Sequence, residues 1–292
     1  MKVYMFHYVT TNFNYFHFNK FDFEQAILEL MSSYNIIGLA EAKKKIITNE
    51  NSDNDIILTF DDGTKDHYET VYPILKKYEI KGVFFLSSNI FHKEILDIHL
   101  IHRLISKVKV DELFIEINNL LKENKVLVNS EDFINNRFDN YKMKYIKQLL
   151  QFILPDGIRN KILMQLISKY KISLNFNEYY LSPEKAVEMK CNGMDIGLHT
   201  KSHKRLNLLS KIEQEEEILE NLSILNNYNL ISEVKALSYP FGNYNKDTID
   251  ILKSYNIDMG FTIDDSALKN QSLFEIGRID CNYLKSRRKD NV

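Results

Sequence analysis

Two adjacent aspartates, Asp61 and Asp62, end the apolar run Ile56–Phe60 and are followed directly by Gly63. Like charges at one point repel, and each raises the pKa of the other. Either both carboxylates face water in an ordinary Asp-Asp-Gly turn, or a positive partner offsets the repulsion. His199 and His203 suggest such a partner. They stand four residues apart in HTKSH, a spacing that puts both imidazoles on one side of a helical turn. Two imidazoles and one carboxylate are a frequent donor set for a catalytic transition metal, with positions left open for water. An isolated HxxxH is a weak signal and fits a polar loop equally well. Beside a strand-end Asp-Asp-Gly the metal reading dominates. One carboxylate then binds the cation, and the other stays nearby as general base for a water whose pKa the cation lowers.

Residues so far apart in sequence need a scaffold that returns them to one place. Val3–Val9 reads as a buried strand, and Asp55–Phe60 as a parallel strand covered on both faces. Phe23, Ile27 and Leu30 give Phe21–Tyr34 a helical face. Glu69–Tyr78 is an amphipathic helix that tolerates Pro73 in its first turn, and Lys81–Ser87 is the next strand. This strand–helix–strand rhythm marks an α/β fold with parallel strands. From about residue 96 to 180 the periodicity is helical, and no Gly/Pro/Ser-rich linker flanks the stretch. We read it as a helical insertion in a single domain spanning 1–292. The rhythm resumes with a helix capped by Ser182 and Pro183. Strands follow in Met194–Thr200, Glu233–Pro240, Asp258–Ile263 and Phe274–Asp280, giving about seven in all.

Active sites of parallel α/β folds lie at the carboxyl ends of the strands. Those ends carry His7, Asp61-Asp62-Gly63, His199–His203, Pro240-Phe241-Gly242 and Arg278-Ile279-Asp280. Tyr239, Phe241 and Tyr244 offer aromatic planes suited to the apolar face of a sugar, although Tyr239 fits the core equally well. His67 could line the pocket but reads first as a water-facing residue at a helix start, His99 and His102 read as surface or packing residues, and the acidic run Glu213–Glu220 as a solvated helix face.

The motifs together resemble those of the polysaccharide deacetylases, carbohydrate esterase family four. TFDDG (Thr59–Gly63) matches that family's first motif, HTKSH (His199–His203) its second, and LSYPFGNYN (Leu237–Asn245) its third region. The resemblance implies a distorted (β/α)7-type barrel and metal-dependent removal of acetyl groups from N-acetylated sugars. It implies Asp61 as general base, Asp62, His199 and His203 as ligands of one divalent ion, and the Phe241 N–H as an oxyanion donor. On the same resemblance Thr200 would order the loop between the ligands rather than react. Three departures stand out. Ser238 occupies the position where the third motif often carries an arginine that fixes the base, and Arg278 is the nearest substitute. No histidine follows His203, so the acid histidine is sought in MFHYV (Met5–Val9), which resembles the strand of permuted members and makes His7 the candidate. A long insertion separates Asp62 from His199; such an insertion can cover the site, shape the pocket or make an oligomer contact.

The bulk composition excludes several classes. A formal net charge of -2 gives no basic face for nucleic acid. Two cysteines, Cys191 and Cys281, are too few for a disulfide framework or a cysteine-based zinc site. No secretory signal and no apolar stretch of membrane-spanning length is seen, so a cytoplasmic protein is expected. That expectation favours an N-acylated amino sugar linked to a nucleotide or lipid, a precursor in cell-surface glycan biosynthesis. Zinc is the expected ion, with nickel, cobalt or another divalent ion compatible with the same ligands. Two other readings remain: a catalytically inactive sugar-binding or scaffold protein of the same fold, for which Ser238 is the main support, and a hydrolase of another C–N amide bond.

Overall fold

The computed structural model describes residues 1–10, 17–50, 52–128, 141–265 and 272–284. The chain falls into two compact units, one of Met1–Asn12, Phe16–Glu94 and Phe176–Val292, the other of Ile95–Asn175 with Phe13–Tyr15. The first unit is α/β. Its parallel strands are β1 (Lys2–Phe6), β2 (Asp55–Asp61), β3 (Val83–Leu86), β4 (Asp195–Leu198), β5 (Ala236–Ser238), β6 (Met259–Phe261) and β7 (Ile279–Asp280). They lie in the order β7-β1-β2-β3-β4-β5-β6, and the short strand Asn35–Ile36 pairs in parallel with the start of β2. Ile276 bridges to Phe261 before the chain reaches β7, which pairs with β1. The sheet is thereby curled into a distorted barrel.

Alternation along the strands layers the barrel interior. Successive strand residues point to opposite faces, so Ile57, Thr59 and Asp61 share one face of β2. At the base of that face Val3, Ile57, Val83, Ala236 and Met259 pack with Ile37, Leu39 and Ala42 in an apolar cluster. The last two of these belong to a helix at Leu39–Ile47 that our sequence reading missed. At the upper end Thr59 and Asp61 meet Ser238 and Arg278. The opposite face of the sheet carries a column of rings across three strands: Phe6 stacks on Phe60 at 5.2 Å and Phe60 on Phe84 at 4.8 Å. These rings fix the register that brings the strand ends level.

Sequence boundaries shift where hydrogen bonding fails. The strand expected over Val3–Val9 stops at Phe6, and Tyr8–Val9 pairs instead with His17–Phe18. The helix expected over Glu69–Tyr78 is α-helical only from Tyr72 to Lys77, with a π-helical turn at His67–Val71 before it. Pro73 has no N–H to offer the preceding turn, and π turns of this kind recur at functional sites. The second unit contains helices at Asp97–Lys107, Val110–Glu123, Tyr141–Gln148 and Asp156–Lys169. Residues 129–140 of the stretch expected to be helical lie outside the described residues.

Candidate active site

Asp61 closes β2 and is 2% exposed; Arg278, just before β7, is 1% exposed. The guanidinium grips the carboxylate in bidentate fashion, Nη1 to Oδ1 and Nη2 to Oδ2, each at 2.8 Å. Ser238 Oγ donates to Asp61 Oδ2 at 3.1 Å and accepts from Arg278 Nη2 at 2.9 Å. Arg278 Nε donates to Thr262 O, and Nη1 also reaches Thr59 Oγ1. Burial works against ionisation of Asp61, but the charge and hydrogen bonds of Arg278 overcome it and hold the pKa at about 2. The guanidinium expected on β5 thus arrives from β7, and the small Ser238 leaves it the room.

Asp62 follows at φ 78°, and Gly63 at φ 63°. Gly63 adopts a left-handed conformation that side chains rarely take, and a Cβ there would press on Ile90 Cδ1. Asp62 Oδ1 lies 3.2 Å from His199 Nε2 and 3.4 Å from His203 Nε2, and the donor atoms of the three residues all lie within 4.8 Å of one another. HTKSH is not the helical turn that its spacing suggested. It is a loop after β4 in which Thr200 (φ 63°) and His203 (φ 57°) are left-handed, and this bend turns both rings toward Asp62. Thr200 Oγ1 accepts the His203 N–H at 3.1 Å.

The donor set fits a cation. His199 Nδ1 lies 2.8 Å from Ser238 O, so that nitrogen carries the proton and Nε2 carries a lone pair. That Nε2 is buried, has no hydrogen-bond partner among the described residues, and faces a carboxylate oxygen. Two electron-rich atoms held face to face in a buried site are complementary to a positive ion.

His7 Nδ1 stands 3.5 Å from Asp62 Oδ2, on the opposite side of that carboxylate, with 42% of its side chain exposed. Desolvation lowers its affinity for a proton, but the hydrogen bond and charge of Asp62 outweigh this and raise its pKa. His67 does not face water. It is fully buried between Phe60 and Phe84, and its Nε2 donates to His7 O at 2.7 Å. Burial lowers its pKa and keeps it neutral. Asp66 adds a bond from Val9 N at 2.5 Å, so the loop after β2 holds the chain at His7 and two residues beyond it. Phe241 sits at φ 57° with its ring 4.7 Å from that of His203. Tyr239 is corrected from a sugar platform to core: it is fully buried, and its hydroxyl donates to Phe274 O. Tyr244 is partly exposed, stacks on Tyr239 and donates to Glu275. The acidic run is not wholly solvated either, because Glu217 is buried against HTKSH.

The polysaccharide deacetylase family model matches residues 48–260, most of the chain, and the protein belongs to that family. YxkH of Bacillus subtilis (strain 168), whose name places it among the polysaccharide deacetylases, is 20% identical over 230 residues. The match covers 78% of this chain and 52% of that one, so the chain spans about half the length of this curated relative. The structure of the Streptococcus pyogenes deacetylase PplD in complex with acetate aligns with TM-score 0.58 and 19% identity, over 96% of this chain and 91% of the other. IcaB from Ammonifex degensii aligns with TM-score 0.58 and 15% identity, over 95% and 90%. These likenesses establish the deacetylase fold. No helix among the described residues is long and apolar enough to cross a membrane.

Proposed function

We propose that this protein is a metal-dependent hydrolase that removes the acetyl group, or another acyl group, from the nitrogen of an amino sugar. The observation that carries this reading is the convergence at one barrel rim of a gripped carboxylate, a two-histidine–aspartate donor set and a partly exposed histidine, His7, beside Asp62. Asp62, His199 and His203 would hold one divalent ion, zinc being the expected one; bound there, it supplies Lewis-acid polarisation and more acidic water. Asp61 accepts the proton that water loses as its oxygen adds to the acyl carbon. The N–H of Phe241 stabilises the charge that develops on the acyl oxygen. His7 then protonates the nitrogen as the C–N bond breaks, leaving a carboxylic acid and a free amine. The partly exposed His7 is accessible for that transfer. With Tyr239 buried, the partly exposed rings of Phe241 and Tyr244 are the candidates for stacking on the sugar.

Asp61→Asn is expected to lower kcat by about 10²–10⁴-fold while metal content stays that of the wild type. His199→Ala is expected to lose the metal itself. Acetate release from a panel of N-acetylated sugar polymers, sugar nucleotides and lipid-linked sugars, with metal analysis of the same samples, checks both. Unchanged turnover in Asp61→Asn would overturn the assigned base. The reading as an inactive binding protein rested on Ser238, and the guanidinium of Arg278 removes that support.

A further inference from the structure

We infer that Glu217 and Asn221 are positioning residues that set the geometry of the cation-binding loop His199–His203; the inference rests on the metal-centre reading above. Both lie on the helix Lys211–Asn227, four residues apart and hence on one face. That face is buried as a stripe of Gln214, Glu217, Ile218, Asn221 and Leu225, whereas Glu213 and Glu216 face water. Glu217 is 5% exposed and Asn221 fully buried. A buried carboxylate on an otherwise solvated acidic run requires specific partners, and its partners are all on the ligand loop. One Glu217 oxygen accepts from Ser202 N at 2.8 Å, the other from Ser202 Oγ, and the Glu217 backbone carbonyl accepts from Lys201 N at 2.8 Å. Asn221 Oδ1 accepts from His199 N at 2.9 Å, and its Nδ2 donates to Leu86 O and Ser88 Oγ. From the other side Ser87 Oγ reaches the carbonyls of both His199 and Thr200.

The loop needs this grip. A β-branched residue in the left-handed region is a conformational outlier, and residues in sparsely populated backbone regions each cost about 1–3 kcal/mol and persist only where the surroundings over-determine them. Thr200 and His203 are two such residues within four positions. Glu217 fixes the backbone between them and Asn221 fixes the backbone of the first ligand. Without both, the loop relaxes toward ordinary φ values and the imidazoles turn off the common point near Asp62. Residues that orient ligands in this way typically account for about 10- to 100-fold in metal affinity.

The test measures zinc and cobalt dissociation constants of the full chain by chelator competition, together with the visible spectrum of the cobalt form. The variants are Glu217→Gln, Asn221→Ala and Ser202→Ala, with Glu216→Gln as the solvated control. Ser202→Ala removes only the hydroxyl end of the clamp and leaves the buried helix intact, so it reports even where the helix variants fold poorly. We expect affinity about 10- to 100-fold weaker for Glu217→Gln and Asn221→Ala, a smaller loss for Ser202→Ala, altered cobalt spectra for all three, and no change for the control. Wild-type affinity and spectrum in all three variants would overturn the clamp while leaving the metal centre standing. A wild-type protein that binds neither ion would overturn both readings.

Discussion

The pairing of Asp61 with Arg278 decides how one residue of the aspartate pair behaves. A carboxylate held at about 2 is ionised throughout the neutral range, and it is a weak base. In the proposed role it would take a proton only from water already made acidic, which ties that role to the neighbouring donor set. Breaking a buried ion pair from one side leaves an uncompensated charge, at a cost of about 3–5 kcal/mol. Arg278→Met is therefore expected to lose that much stability in urea unfolding. Arg278→Lys cannot reproduce the bidentate fork, and its kcat should fall while metal content holds. The double variant Ser238→Arg/Arg278→Ser asks whether the guanidinium works from either strand. It is expected to recover part of the turnover lost in Arg278→Ser alone; a double variant no better than that single one would show that β7 is the only productive origin. This pairing was legible in sequence because Ser238 announced a missing charge and Arg278 was the one arginine at a later strand end. Glu217, Asn221 and His67 were not legible as site residues. Their types are ordinary on a helix, and only a 3-4 spaced stripe joining Gln214, Glu217, Ile218, Asn221 and Leu225 signals which acid turns inward.

The elements that carry these residues are strand ends whose loops bend sharply. Asp62, Thr200, His203 and Phe241 all have positive φ, and each adjoins or belongs to a candidate functional group. Composition had already outlined the strands, since apolar runs such as Asp55–Phe60 are long and uninterrupted. Caps such as Ser182 with Pro183 marked a helix start correctly. Spacing alone misled where a loop imitates a helix: HTKSH has i, i+4 histidines, but its left-handed residues converge the rings without a helical turn. The π turn His67–Val71 serves a similar end by placing His67 beneath the His7 carbonyl. His67→Phe keeps the aromatic packing between Phe60 and Phe84 but removes the shorter of the two bonds to that carbonyl, leaving it only Thr64 Oγ1 at 3.4 Å. We expect a stability loss of about 0.5–1.5 kcal/mol from the lost hydrogen bond. We also expect a fall in kcat with metal affinity unchanged, because the His7 segment and not the metal loop is released. Equal kcat in variant and wild type would mean that the bond from Asp66 to Val9 holds His7 by itself.

At the scale of the whole molecule the donor set joins parts of the chain that folding must bring together from far apart. Asp62 follows β2 and His199 follows β4, with Ile95–Asn175 of the helical unit between them in sequence. An ion bound by Asp62, His199 and His203 favours the folded state over any state in which those loops are separated. Its effect follows from mass action, about 2.7 kcal/mol at a free concentration one hundred times the dissociation constant. For a folding unit of this size that corresponds to a rise of roughly 5–10 °C in Tm. Calorimetry of chelator-stripped protein titrated with zinc should show that rise for the wild type and none for His199→Ala. Asp61→Asn should show it in full, because Asp61 lies outside the donor set. A rise shared by wild type and His199→Ala would place the stabilising zinc elsewhere on the chain. A rise missing from Asp61→Asn would mean that the base and the donor set are one structural unit, and the division of roles between the two adjacent aspartates would fail with it.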